Sequence, residues 1–131
     1  MTNRELDYKI AEKLMGWVFK KHSDGISFWS PEYLEEVKKR GGSSIVWPDL
    51  ESAMLAYNGP TIPNYSEKRS QAFLILDALS YCEYTIYSPK YDSNIFAVLL
   101  VDKRTGRSYA ATADTLPKAI CLAALETVKS I

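Results

Sequence analysis

The sequence predicts an α/β sandwich: helices packed on an antiparallel sheet of at least three strands. Three features of residues 84–131 predict it. First, the run at 94–101 (NIFAVLLV) is apolar, rich in β-branched residues and bounded by polar ones, which favours a buried strand over a helix. Second, Asp102-Lys103-Arg104-Thr105-Gly106 reads as a turn, with Gly106 supplying the positive φ that a short hairpin loop needs. A returning strand is expected over 107–112. Third, Asp114-Thr115-Leu116-Pro117 offers a cap oxygen and a proline for the first turn of a helix. In that helix Ile120, Cys121, Ala124, Leu125 and Val128 fall on one apolar stripe. A β-hairpin with a helix laid on it is therefore the expected core.

The remaining elements follow in chain order. Thr2 and Glu5 match a capping box, and Leu6, Ile10, Leu14 and Trp17 recur on one face, which predicts a first helix over 3–19. Polar residues and Gly25 end it, and Ile26-Ser27-Phe28-Trp29 suits a short strand. Ser30-Pro31-Glu32 reads as a helix start, with Tyr33, Leu34 and Val37 apolar behind it. Trp47-Pro48-Asp49 reads as a second start. Residues 28–59 thus form a helical insertion within a single domain spanning 1–131. The insertion's helices are short with narrow apolar faces, so they must dock on the body or on a partner. Trp29 and Trp47 either anchor the insertion to the core or line a ligand or subunit contact. After a loop with two prolines, Ser66 is expected to cap a helix carrying Ala72, Phe73, Leu76 and Leu79 inward. Residues 81–87 then alternate as a strand, with Cys82, Tyr84 and Ile86 on one side.

Composition narrows the function classes. A chain of 131 residues can bury about two-thirds of the surface its unfolded form exposes, enough for one real core. Sixteen basic and sixteen acidic residues cancel, which argues against a general binder of duplex nucleic acid but leaves room for a local anion pocket. No apolar run approaches the roughly 18 residues of a membrane span, and the opening MTNRELDYKI has no signal-peptide character, so no membrane partner is expected. Cys82 and Cys121 fall in a strand and on an apolar helix face; buried, reduced thiols and a cytosolic setting are expected.

Three stretches go beyond such generic physics: 5–17 (ELDYKIAEKLMGW), 63–66 (PNYS) leading into Ala72-Phe73, and 113–125 (ADTLPKAICLAAL). Together they resemble the phage ABA-sandwich domain family, small α/β sandwich proteins of bacteriophages and prophages. The chain departs from that pattern in the enlarged segment 28–59 and in the charged Glu67-Lys68-Arg69-Ser70 after Ser66. The resemblance implies a viral protein acting in the cytoplasm of the infected bacterial host. Its context, small phage proteins that counter host defence, some of them sponges for nucleotide immune signals, implies an anti-defence role.

The residues themselves favour binding over bond-breaking, and no enzyme activity is expected. The one histidine, His22, sits beside lysines; no HExxH, CxxC pair, GxSxG or phosphate-binding glycine loop occurs. Neither a metal nor a cofactor is expected. A nucleotide-like ligand needs aromatic faces and cationic forks, and the sequence offers these in several places. Asn64 and Tyr65 precede a helix N-terminus, with Arg69 one turn on. Arg104, Arg107 and Tyr109 follow the strand 95–101, about 20 Å from the turn holding Tyr87, Pro89, Lys90 and Tyr91, so one pocket uses both turns only if two subunits meet. With Trp29 and Trp47 these are the expected ligand-binding residues. The expected partner is a cyclic nucleotide or similar signal, held by a homo-oligomer. A protein-docking module using the Trp-bearing insertion is the alternative, and a small phosphoesterase a weaker one.

Overall fold

The computed structural model describes residues 2–32, 62–89 and 94–129. Helix α1 (Asn3–Lys13) leads into the hairpin β1 (Val18–His22) and β2 (Gly25–Trp29). Helix α2 (Arg69–Ala78) precedes the strands β3 (Cys82–Tyr87), β4 (Phe96–Asp102) and β5 (Ser108–Ala113), and α3 (Leu116–Lys129) follows them. Within the described residues β1 and β2 form one antiparallel pair, and β3-β4-β5 form a separate antiparallel sheet with β4 central. The expected helix-strand-strand-strand-helix order is present.

The first helix is shorter than its periodicity predicts. Thr2 caps it as expected, its Oγ1 accepting the Glu5 N–H at 3.1 Å. It stops at Lys13, however. Gly16 takes a φ of 78°, and the Trp17 N–H closes on the Ala11 carbonyl at 3.1 Å, turning the chain out of the helix. Residues 18–22, assigned to the helix and its polar end by sequence, are strand β1. Phe19 stacks on Phe28 across the hairpin with ring centroids 5.7 Å apart, and on Tyr8 of α1 edge-on at 4.5 Å. Trp17 and Phe28 lie 5.9 Å apart. Leu14 and Trp17 keep the helical spacing only because two different elements meet one core.

Strand β2 bears out the strand read from Ile26 to Trp29, so Phe28 and Trp29 are strand residues rather than part of a helical segment. Pro31 and Glu32 are helical, in keeping with the start read there. The expected helices over 33–37 and 47–59, with Trp47, lie outside the described residues.

Helix α3 is the hub. It packs against β4 and β5 on one side and against α1 and α2 on the other. That is why its burial exceeds a single stripe: Leu116, Ala119 and Ala123 are buried with Ile120, Cys121, Ala124 and Leu125. A helix enclosed by a sheet and two helices must be apolar nearly all round, and its alanines let the neighbouring helices approach. Its cap is Thr115, whose Oγ1 accepts the Lys118 N–H at 3.4 Å, while Asp114 is exposed. Facing it, β4 buries Val98, Leu100 and Asp102, and α2 buries Ala72, Ile75 and Leu76, with Leu79 beyond its end and Phe73 half-buried.

Both cysteines are free and buried, as expected. Burial, reinforced by the Asp7 charge, pushes the Cys121 thiol well above its ordinary range, and burial with the Asp102 charge pushes up Cys82. Neither is a nucleophile at neutral pH. A thiol reagent such as dithionitrobenzoate should leave both unmodified in the native protein at pH 7.5 and react with both in denaturant; rapid native labelling of Cys121 would contradict this packing.

Candidate ligand-binding site

The sequence places two groups of candidate residues, and the structure treats them differently. The first lies in the segment that precedes α2 and is hydrogen-bonded to α1. Asn64 is not presented outward: its Oδ1 accepts from Arg4 Nη1 at 2.6 Å, and its N–H donates to Gln71 Oε1. Arg4 also donates to the Ile62 carbonyl at 3.1 Å and to Asp7 Oδ2 at 2.8 Å. Asp7, with no exposed surface, accepts the Ser66 N–H through its other oxygen at 2.7 Å. Ser66 was expected to cap the next helix. Instead its hydroxyl donates to the Asn3 carbonyl at 3.1 Å, and Lys68 occupies the cap position without a side-chain bond. The segment is a clasp onto α1, not a helix start.

Tyr65 is a core residue, 2% exposed. Burial raises its phenol to about 12, against a bond from Trp17 that lowers it and with a smaller raising contribution from the Asp7 charge. The folded state therefore holds the proton that the unfolded chain releases near pH 10. Tyr65's contribution is complete below pH 10 and is lost as pH climbs from 10 towards 12, amounting to about 3 kcal/mol. Urea titrations between pH 8 and 11.5 should show a decline, to which Tyr8 and the two buried thiols, also shifted upward, add their own shares. Tyr65→Phe should make it shallower while lowering the plateau, since the Trp17 N–H loses its acceptor. Arg69, the first residue of α2, is exposed.

The second group is the turn between β4 and β5. Gly106 has the expected positive φ, 75°, and its N–H closes on the Asp102 carbonyl at 2.7 Å. Asp102, read from sequence as a turn residue, is the last residue of β4 and is buried. Its Oδ1 accepts the Arg104 N–H at 2.8 Å and Arg104 Nε at 3.2 Å, and its Oδ2 accepts Nη2 at 3.1 Å. The hydrogen bonds from Arg104 hold the Asp102 carboxyl below the usual carboxylate range, and Arg104 is raised in turn, so the pair stays ionised.

The guanidinium also lies 3.7 Å from the centroid of the Tyr81 ring. Tyr81, just before β3, was not among the sequence candidates. Its signal was its position: with Cys82 opposite Asp102, the preceding residue meets the turn, and the Lys103 N–H bonds its carbonyl at 3.0 Å. Arg104 is thus fixed on two sides while its side chain remains 64% exposed, against 8% for Asp102. Lys103 and Arg107 are exposed in the same turn, the latter's N–H bonded to Thr105 Oγ1 at 3.2 Å. Tyr109 is separate from them: it sits opposite Leu100 and is half-buried against the core. Trp29 ends β2, and its indole N–H is buried with no acceptor among the described residues.

The structure thus brings Arg104 and Arg107 together, adds Lys103 and Tyr81, and leaves Asn64, Tyr65, Arg69, Tyr109 and Trp29 elsewhere. Among the described residues no group of three or more His, Cys, Asp or Glu is gathered as for a metal ion. No helix there is long and apolar enough to cross a membrane.

The family model of the phage ABA sandwich domain matches residues 8–125. The chain belongs to the phage ABA sandwich domain family. This ABA sandwich is similar in fold to a phage protein from Bacillus cereus ATCC 14579 seen in a crystal structure. The two share 20% sequence identity with a TM-score of 0.61, over 98% of this chain and 89% of the other. No curated protein matches the sequence.

Proposed function

We propose that this phage ABA sandwich protein is a non-enzymatic binding protein that sequesters a small anionic, nucleotide-derived immune signal in the cytoplasm of the infected bacterium. The observation that carries the reading is the preorganised arginine: Arg104 is held in plane by Asp102 and from below by Tyr81, yet faces solvent beside Lys103 and Arg107. A cation fixed before the ligand arrives loses little freedom on binding, and three cations on one turn suit a phosphate or diphosphate. The free face of the guanidinium offers a surface on which a base can stack. The phage family supplies the setting in which such capture would blunt host defence.

Differential scanning fluorimetry against a panel of cyclic nucleotides tests this. A true ligand at 100 times its Kd adds about 2.7 kcal/mol and raises Tm by several degrees. Arg107→Ala and Lys103→Ala, both at exposed positions, should erase that rise while leaving the unliganded Tm unchanged. The nucleotide should be recovered intact. No shift with any anionic nucleotide, or turnover of the bound one, would reject the reading.

One observation favours a second reading, a protein-docking module. The buried Trp29 indole N–H lacks an acceptor among the described residues, a state that a carbonyl from a docked protein would relieve. Trp29→Phe should then abolish capture of a host or phage protein without changing nucleotide binding.

A further inference from the structure

Among the described residues the three-stranded sheet ends on β3, whose outer edge pairs with no other strand and whose Glu83, Tyr84, Thr85 and Tyr87 are exposed. Antiparallel alternation tells which of its backbone groups point outward. The Lys103 N–H bonds the Tyr81 carbonyl across the strands, and Cys82 stands opposite Asp102, so residues 81, 83, 85 and 87 direct their N–H and C=O groups at β4. The bond from the Asp102 N–H to the Arg107 carbonyl, at 2.8 Å, gives β4 the same phase from its other side. Cys82, Tyr84 and Ile86 therefore point theirs away from the sheet. The Cys82 N–H is taken by the Leu79 carbonyl at 2.9 Å. Tyr84 and Ile86 each keep an outward donor and acceptor with no partner among the described residues.

An edge left open in a monomer usually carries a lysine, a proline or a bulge to block pairing. The sequence of β3, CEYTIY, has no lysine or proline, and it pairs with β4 residue for residue. The strand carries apolar surface as well: Tyr84 is 50% exposed, with its ring edge-on to Phe73 of α2 at 6.4 Å.

We infer that β3 pairs with β3 of a second copy of this chain, antiparallel about a two-fold axis at Thr85. This alignment sets Tyr84 against Ile86 of the second copy and Ile86 against its Tyr84, each pair exchanging both backbone bonds, so every outward group of these two residues is used. Thr85 faces its own counterpart, and Glu83 faces Tyr87, so the strand's single carboxylate never meets itself. Sliding two residues one way calls on the Cys82 N–H, already bonded to Leu79; sliding the other way runs off the end of β3. The Tyr84 and Ile86 side chains lie on the helix side, so pairing covers the exposed tyrosine. With no net charge on the chain, two copies meet without long-range repulsion. The result is one continuous sheet across the dimer, independent of whether the β4–β5 turn binds a nucleotide.

Sedimentation equilibrium and disulfide trapping on the full chain test the alignment. The wild type should sediment as a dimer, and Thr85→Lys, which opposes two ammonium groups at the axis, as a monomer with unchanged circular dichroism. In the non-hydrogen-bonded position at the axis the paired Cα atoms stand about 4.5 Å apart, within disulfide reach. Thr85→Cys should therefore cross-link on mild oxidation, whereas Glu83→Cys should not. A monomeric wild type, a dimer untouched by Thr85→Lys, or cross-linking through Glu83→Cys in place of Thr85→Cys would overturn the proposal.

Discussion

Replacing Asp7 with alanine should lower the stability of the fold by about 3 kcal/mol, because it leaves a buried donor unpaired and breaks an ion pair whose carboxylate is fully buried while Arg4 keeps 30% of its side chain exposed. The carboxylate has no exposed surface and connects two parts of the chain distant in sequence: Arg4 on its own helix and the Ser66 N–H of the clasp. Without it the Ser66 N–H is buried without an acceptor, and Arg4 is left bonded to Asn64 and to the Ile62 carbonyl with no other carboxylate paired to it among the described residues. At this chain length the loss corresponds to a Tm lower by about 10 °C. Asp7→Asn separates the two roles. It can still accept the Ser66 N–H, but its amide turns a donor towards a guanidinium. Urea unfolding of Asp7→Ala, Arg4→Ala and the double variant should show strong non-additivity, because each single change strands the other's charge. Additive losses would mean that the two side chains act independently.

The parts of this fold legible in the sequence are those where local pattern and tertiary role agree. The run 94–101, Gly106 and the apolar stripe from Ile120 to Val128 each signal one thing, and β4, the turn and α3 follow. The failures arise where one pattern serves two elements. Leu14 and Trp17 extend the spacing of Leu6 and Ile10, so a helix through residue 19 looked sound; only Gly16 in a left-handed conformation, with Val18 and Phe19 beyond it, ends α1. Ser66 before a polar run has the composition of a cap, but the capping signal is local while the Asp7 carboxylate that claims its N–H lies far away in sequence.

The candidate site divides on the same ground. Arg104 and Arg107 were visible because cations in a hairpin turn are exposed wherever the strands go. Asn64 and Tyr65 have the chemistry of ligand groups, yet their partners, Arg4 and Trp17, sit in and just after α1, and no spacing rule connects them. Tyr81 was missed for the opposite reason: its place under Arg104 depends on the strand alignment between β3 and β4, which the sequence alone leaves open.

That alignment makes the second large prediction a sharp one. Leu100 is fully buried at the middle of the central strand, opposite Tyr84 on one side and Tyr109 on the other, on the face that meets α3. Truncating it to alanine opens a void that cannot close, since the helix α3 that it faces is itself packed on both sides, and the expected cost is about 3 kcal/mol. Leu99, its neighbour in sequence, points to the other face, opposite Thr85 and Ala110, and is only half-buried. Leu99→Ala should cost about 1 kcal/mol, roughly the share of side-chain burial that it gives up. The two variants remove the same atoms from adjacent positions, so composition, helix or strand propensity and the unfolded state are nearly matched between them. Only the direction of the side chain differs. Equal losses in urea unfolding would mean that β4 is not pleated against α3 in the phase described, because a shift of one residue would exchange the two faces.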